Sequence, residues 1–287
     1  MEQKTPIKNI VVLHHDDPDG FGGAWAAWKK FKDKAEYIPI SHDRDVLERL
    51  NLKNKEIYLI DYSFKPEEMI KLVKANKKVV LIDHHVTSAE SAKIATESLY
   101  DITRSGASLS WLYFHNKKPI PLLLLYIEDF DIWKFKIKFT KEIMVALAIY
   151  EYNFKVWSKI ARDLGNDKKR KEYIKDGKAI LRYQEFLIKS IISSGGEEVD
   201  LEGHRAFAVN SPVLESEIGH HVYDKKGMLA IVWSYKVKHG KPKLKVSLRS
   251  DRSIDVSQIA LKYGGGGQKG AAGFTVEEEI KFPWRTK

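Results

Sequence analysis

The chain has 287 residues, 43% hydrophobic and 31% charged, a balance that fits a globular protein of two domains and excludes mini-proteins, fibrous chains and disorder. It has no cysteine, which removes disulfides, zinc–thiolate sites, iron–sulfur clusters and thiol nucleophiles and leaves His, Asp and Glu to hold any metal. Lys and Arg number 49 against 39 Asp and Glu, and the formal charge of +10 favours anionic partners such as nucleotides, nucleic acid or a membrane surface.

Met1 to Lys8 is polar and lacks the apolar stretch of a secretory signal. The apolar runs, Leu122 to Leu125 among them, are far too short to span a bilayer, so the expectation is a cytoplasmic protein with no membrane partner. Strand and helix signals then alternate: Ile10 to Leu13 and Gly22 to Phe31, Ile57 to Ile60 and Pro66 to Ala75, then Val79 to Ile82. Each strand is a short Val, Ile and Leu run without polar alternation, as in an α/β domain whose parallel sheet is covered on both faces. From about Ser105 to Ser193 the pattern is helical, and the charged amphipathic run Lys168 to Ile192 reads as a connector. Strands return at Arg205 to Val209, Leu229 to Tyr235, Lys243 to Leu248 and Phe274 to Val276, with helices at Glu215 to Val222 and Val256 to Leu261. The expected layout is an α/β parallel-sheet domain at residues 1–160, a helical connector at 161–198 and a smaller mixed α/β domain at 199–287.

The first strand runs into His14-His15-Asp16-Asp17-Pro18-Asp19-Gly20, and ligands bind at the carboxyl ends of parallel strands. His15, Asp17 and Asp19 fall at alternate positions, so a tight turn can converge one imidazole and two carboxylates on a divalent cation. A solvated acidic turn capping the next helix is the competing reading. The next two strands also stop at acid or imidazole, in Asp61 and in Asp83-His84-His85, a recurrence that loop chemistry alone does not produce. A fourth acidic cluster, Glu128-Asp129-Phe130-Asp131-Ile132-Trp133, follows an apolar helical run. The candidates His15, Asp17, Asp19, Asp61, His84 and Asp129 are too many for one ion and suit two ions that share a carboxylate. Such a pair, about 4 Å apart, clamps both oxygens of a displacement at phosphorus, which points to metal-assisted phosphoester hydrolysis. Oxygen and imidazole donors favour Mn²⁺ or Mg²⁺ over structural zinc.

In the second domain the period of two puts Leu244, Val246 and Leu248 on a core face and Lys243, Lys245, Ser247 and Arg249 on the other. For Lys243 and Lys245 the expectation is protection of an edge strand, whereas Arg249, beside Ser247 and Ser250, suits a fork-like phosphate contact. Gly264 to Phe274 reads as a glycine-rich turn whose backbone amides approach an anion, with Lys269 adding charge. Trp25 and Trp28 are expected in the core, and Lys168-Lys169-Arg170-Lys171 on a solvated helix face.

In order and spacing, His15-Asp16-Asp17-Pro18-Asp19-Gly20, Asp61, Asp83-His84-His85, Glu128-Asp129 and Gly264 to Phe274 resemble the motifs of the DHH phosphoesterases with a DHH-associated C-terminal domain. That superfamily includes RecJ-like exonucleases, nanoRNA oligoribonucleases and cyclic-dinucleotide phosphodiesterases. The resemblance implies that His15 and Asp17 hold one Mn²⁺, that Asp19, His84 and Asp129 hold a second, and that Asp61 bridges them. It further implies that His85 contacts the substrate phosphate and that Asp83 orients the histidines. Arg249, Ser247 and the turn of Gly265, Gly266, Gly267 and Gln268 would hold a terminal phosphate or nucleotide. Two departures stand out. Phe21 occupies the sixth position after His15, where some members place a metal-binding Asp, and Gln268 stands where the glycine motif usually has His. The expected activity is manganese-dependent hydrolysis of short oligoribonucleotides or small, including cyclic, nucleotides to monophosphates. A RecJ-like nuclease on long single-stranded nucleic acid and a catalytically weak nucleotide-binding protein are the alternatives, and a homodimer is left open.

Overall fold

The structure is a computed structural model that describes residues 8–40, 47, 50–116, 118–238, 241–276 and 285–286. The polar stretch Met1 to Lys8 lies, apart from Lys8, outside the described residues. Its backbone divides into two compact units, residues 1–181 and 182–287.

The first unit is built on five parallel strands, β1 (Ile10–His15), β2 (Ala35–Ile40), β3 (Glu56–Ile60), β4 (Lys78–Asp83) and β5 (Glu97–Tyr100), in the order β2-β1-β3-β4-β5. The apolar runs of β1, β3 and β4 are buried on both faces. Val11, Leu13, Ile57, Leu59, Val79 and Leu81 pack against α2 (Pro66–Ala75) and α3 (Ala89–Ile94). The alternate residues Val12, Tyr58, Ile60, Val80 and Ile82 pack against α1 (Pro18–Phe31) and α4 (Gly106–His115). Strands β2 and β5, which pattern reading passes over, are the two edges, where one-sided pairing goes with a less apolar sequence. Helices α5 (Leu122–Asp131), α6 (Thr140–Leu147) and α7 (Phe154–Leu164) bury a second core around Trp25 and Trp157, and the Trp25 indole donates to Ser158 at 3.0 Å.

Helix α8 (Asp167–Gly195) crosses the boundary between the units. Its Tyr173 and Ile174 join the core of the first unit, and its Ile188 joins a core of the second. The basic stretch at its start is held locally, with Lys169 on Asp163 at 2.8 Å and Arg170 on Asp167 and the Leu164 carbonyl.

The second unit is a seven-stranded sheet in the order β10-β11-β9-β8-β7-β6-β12, whose strands are β6 (Gly196–Leu201), β7 (His204–Asn210), β8 (Leu229–Lys238), β9 (Lys241–Arg249), β10 (Gly266–Gln268), β11 (Ala271–Val276) and β12 (Arg285–Thr286). Only the β7–β8 pair among these is parallel. Helices α9 (Glu215–Lys226) and α10 (Val256–Lys262) complete it. The fold class is thus α/β, a parallel-sheet domain followed by a smaller mixed one.

Two sequence expectations change here. β9 pairs with β8 and β11, so it is not an edge, and Lys245 meets Glu215 at 2.7 Å instead of guarding an open strand. The glycine run is not an open turn. Gly264 and Gly265 donate to the end of α10, and Gly266, Gly267 and Gln268 form the edge strand β10 against the small residues Gly273, Ala272 and Ala271.

Candidate metal centre

Strand β1 is flanked by β2 on one side and β3 on the other, so the chain reverses its direction of winding between β1 and β3. At such a switch point the helices that follow diverge and leave a crevice beyond the strand ends. His15 ends β1, Asp17 caps α1 by accepting from the Gly20 amide at 2.8 Å, and Asp61 follows β3. His15 Nδ1 lies 2.7 Å from Asp17 Oδ2 and 3.6 Å from Asp61 Oδ2. These three form one ligand-competent group.

The second group shares the same neighbourhood. His84 Nε2 lies 3.2 Å from Asp61 Oδ1, 3.7 Å from Asp19 Oδ2 and 3.5 Å from Asp131 Oδ2. Asp19, in the first turn of α1, is buried, and its carboxylate accepts from the amides of Gly106 at 2.6 Å and Ala107 at 3.0 Å at the start of α4. Gly106 is required by this approach, because a Cβ there would meet Asp61 Cβ at 2.7 Å and Asp19 Oδ2 at 3.0 Å. Asp61 itself adopts a left-handed backbone, φ 55°, at the turn out of β3.

Asp83, the last residue of β4, is fully buried and accepts from the amides of His84 and His85 and from His85 Nδ1 at 2.8 Å. One carboxylate thereby fixes the loop and the His85 ring, and half of the His85 side chain stays exposed.

The charges in this crevice are crowded. Burial and the charges of Asp61 and Asp131 push the Asp19 carboxyl well above the usual range. Burial, with Asp61 and Asp17, pushes Asp131 up to about 6 against the pull of His84. The hydrogen bonds to Asp17 and Asp61 raise His15 to about 10, and Asp83 raises His85 to about 9. Three buried atoms among the described residues, Asp61 Oδ1, His84 Nε2 and Asp131 Oδ2, face one another without a hydrogen bond. A divalent cation fits this donor set: it supplies the missing positive charge and satisfies the three orphaned atoms at once.

The structure brings His15, Asp17, Asp19, Asp61 and His84 together, with Asp83 and His85 beside them, and turns Asp129 away. The Asp129 carboxylate accepts from the amides of Lys136 and Ile137 and from Thr140 Oγ1, three bonds that outweigh burial and hold its pKa low. Its place in the cluster belongs to Asp131, the final residue of α5. The sequence signal for Asp131 was its place two residues past Asp129, on the opposite face of a helix.

In the second unit, Arg249 donates to Ser216 Oγ at 3.1 Å and to the Leu248 carbonyl at 2.9 Å. Ser247 donates to Glu215 at 2.7 Å, and Ser250 donates to the Ile254 carbonyl, so neither hydroxyl is joined to Arg249. Gly265, Gly266, Gly267 and Gln268 lie on or beside the edge strand β10, where Gln268 is exposed.

Residues 9–126 match the model of the DHH family N-terminal domain, and residues 209–283 match the DHHA1 domain. An uncharacterized protein of Acanthamoeba polyphaga mimivirus is 30% identical over 285 residues, covering 92% of this chain, and the chain spans 66% of that relative's length. Among solved structures, the pGpG-specific phosphodiesterase PggH of Vibrio cholerae is similar with a TM-score of 0.54 and 16% identity, covering 94% of each chain. RecJ of Thermus thermophilus in complex with Mn²⁺ is similar with a TM-score of 0.55 and 17% identity, over 94% of this chain and 49% of RecJ. At these identities the likeness is one of fold.

Proposed function

Because this chain belongs to the DHH family and carries a DHHA1 domain, we propose that it is a manganese-dependent phosphodiesterase that hydrolyses short oligoribonucleotides or small nucleotides to nucleoside monophosphates. One observation carries this reading. Two ligand groups, His15–Asp17–Asp61 and Asp19–His84–Asp131, lie against each other with Asp61 common to their contacts, His84 Nε2 being 3.2 Å from Asp61 Oδ1. His15 and Asp17 would hold one ion, Asp19, His84 and Asp131 the other, with Asp61 between them. Bound there, two divalent cations would supply Lewis acidity to the phosphoryl oxygens and would lower the pKa of an attacking water.

The protein's own groups do the rest. Asp83 accepts from His85 Nδ1–H and so fixes the half-exposed ring, which in its protonated form, favoured by that carboxylate, would donate Nε2–H to a phosphate oxygen. The amides at the start of α4 fix Asp19 against rotation.

The test is product analysis by chromatography with Mn²⁺, offering pGpG, a five-nucleotide RNA, cyclic-di-AMP, cyclic AMP, pAp and a long single-stranded DNA. The expected outcome is preference for the shortest linear RNAs with monophosphate products, and loss of about 10³-fold or more in kcat for Asp61→Ala and His84→Ala. Unchanged hydrolysis in either variant would show that the centre is misassigned. Activity confined to the long DNA would make the protein a RecJ-like exonuclease, and silence across the panel with metal bound would make it a nucleotide-binding protein.

A further inference from the structure

Pro18, directly after Asp17, opens α1 and forms one wall of a cavity of about 410 Å³ whose other walls include Met144, Leu147, Tyr150, Glu151 and Tyr152. That volume lies in the range of small-ligand sites and exceeds what a nucleobase needs. Tyr152 stacks on Phe21 with ring centroids 4.9 Å apart and planes 12° apart, and Trp157 meets its edge at 5.8 Å and 80°. Phe21 is buried and is stacked in turn on Phe154 at 5.1 Å and 6°. Tyr152 therefore has one ring face fixed on an aromatic column, yet it remains 43% exposed. Pro18, bonded to the candidate metal ligand Asp17, lines the same cavity as Tyr152, so the ring borders the acidic loop, whose carboxylates, with burial, push the Tyr152 hydroxyl up to about 12.

A rigid, half-exposed ring in an apolar cavity whose rim continues into Asp17 has the chemistry of a base-stacking surface. Resting on the function proposed above, we propose that Tyr152 is the stacking platform for a nucleobase of the substrate whose phosphate lies at the metal centre. The substrate class is then a nucleotide carrying a base within reach of Pro18 and Tyr152, and base-free polyphosphates lack this contact. Glu151 on the same wall offers an acceptor to an exocyclic amino group.

Calorimetric binding of adenosine 5′-monophosphate and ribose 5-phosphate, each with Mn²⁺ present, tests this without requiring turnover. Wild-type protein is expected to bind the nucleotide about tenfold or more tightly than the sugar phosphate. Tyr152→Ala should erase that preference and bind ribose 5-phosphate as wild type does, whereas Tyr152→Phe should retain the preference. Tyr152→Leu, which keeps apolar bulk against Phe21 without an aromatic face, stands in if the alanine variant does not fold. No preference in the wild type, or a preference kept by both the alanine and leucine variants, overturns the proposal. A wild type that prefers the nucleotide but hydrolyses no phosphodiester removes the proposed function and leaves the platform standing.

Discussion

Two residues apart on α5, Asp129 and Asp131 leave the helix about 200° from each other, and the fold gives them opposite tasks. Asp131 ends in the crevice with Asp19 and His84, whereas Asp129 ties down the loop that follows through Lys136, Ile137 and Thr140. Asp131→Asn should therefore weaken Mn²⁺ binding by about tenfold or more at nearly unchanged stability. Asp129→Asn should leave Mn²⁺ affinity within a few-fold and destabilise the fold by about 2 kcal/mol, because an amide presents donors to donors. Calorimetric titration and urea unfolding of the pair decide the matter, and similar metal affinities in the two variants would contradict the assignment. The sequence alone shows a carboxylate pair here. Which member turns inward depends on the Thr140 hydroxyl and two amides of the following loop, contacts that only tertiary structure creates.

Among the elements, the joint between α7 and α8 carries a charge cluster apart from the centre. Asp163 is buried, meets Lys159 at 2.6 Å and Lys169 at 2.8 Å, and accepts from the Tyr173 hydroxyl; the two lysines hold its pKa down to about 2. An acid whose folded pKa is depressed contributes stability that is present above its unfolded pKa and is lost as the pH falls through the folded one. Asp163→Asn should thus cost about 1 kcal/mol at pH 7, a modest figure because both lysines are more than half exposed to screening solvent. In thermal unfolding the gap between variant and wild type should close between pH 4 and pH 2, and a gap independent of pH would assign the effect to packing. Elements were legible where burial was two-sided: β1, β3, β4 and α2 emerge from apolar runs and from Pro66, all within two residues of their bounds. The edge strand β2, with Pro39, and the partly exposed β5 lack that signature, and β10 is written in Gly and Gln, which favour no strand until Ala271 to Gly273 pair with them.

For the whole molecule, the ligand set couples metal to proton and to stability. Without metal, His15 and His85 are cations balancing buried carboxylates, with pKa values raised to about 10 and about 9. A histidine raised in the folded state contributes stability that is complete below its unfolded pKa, near 6.5, and is lost as the pH rises through the folded value. Chelator-treated protein should therefore lose thermal stability steadily between pH 6.5 and pH 10. With Mn²⁺ at about 100 times its Kd, binding should add about 2.7 kcal/mol and flatten that decline, since the ion takes over the role of the protons. Scanning calorimetry with and without metal measures both curves, and parallel curves would mean that the ion binds elsewhere. Among the described residues, no helix is long and apolar enough to cross a membrane.

The left-handed backbone of Asp61 also bears on how such a chain changes over generations. At a positive φ, Gly, Asn and Asp are the residues that sit with least strain, so the neighbours of Asp61 in sequence space are few, and neither Gly nor Asn carries a charge. Lineages of this fold that drift from metal chemistry toward simple ligand binding should therefore be marked first by Asn or Gly at this position. The Asp that stands here is the member of that small set that brings a charge to the centre.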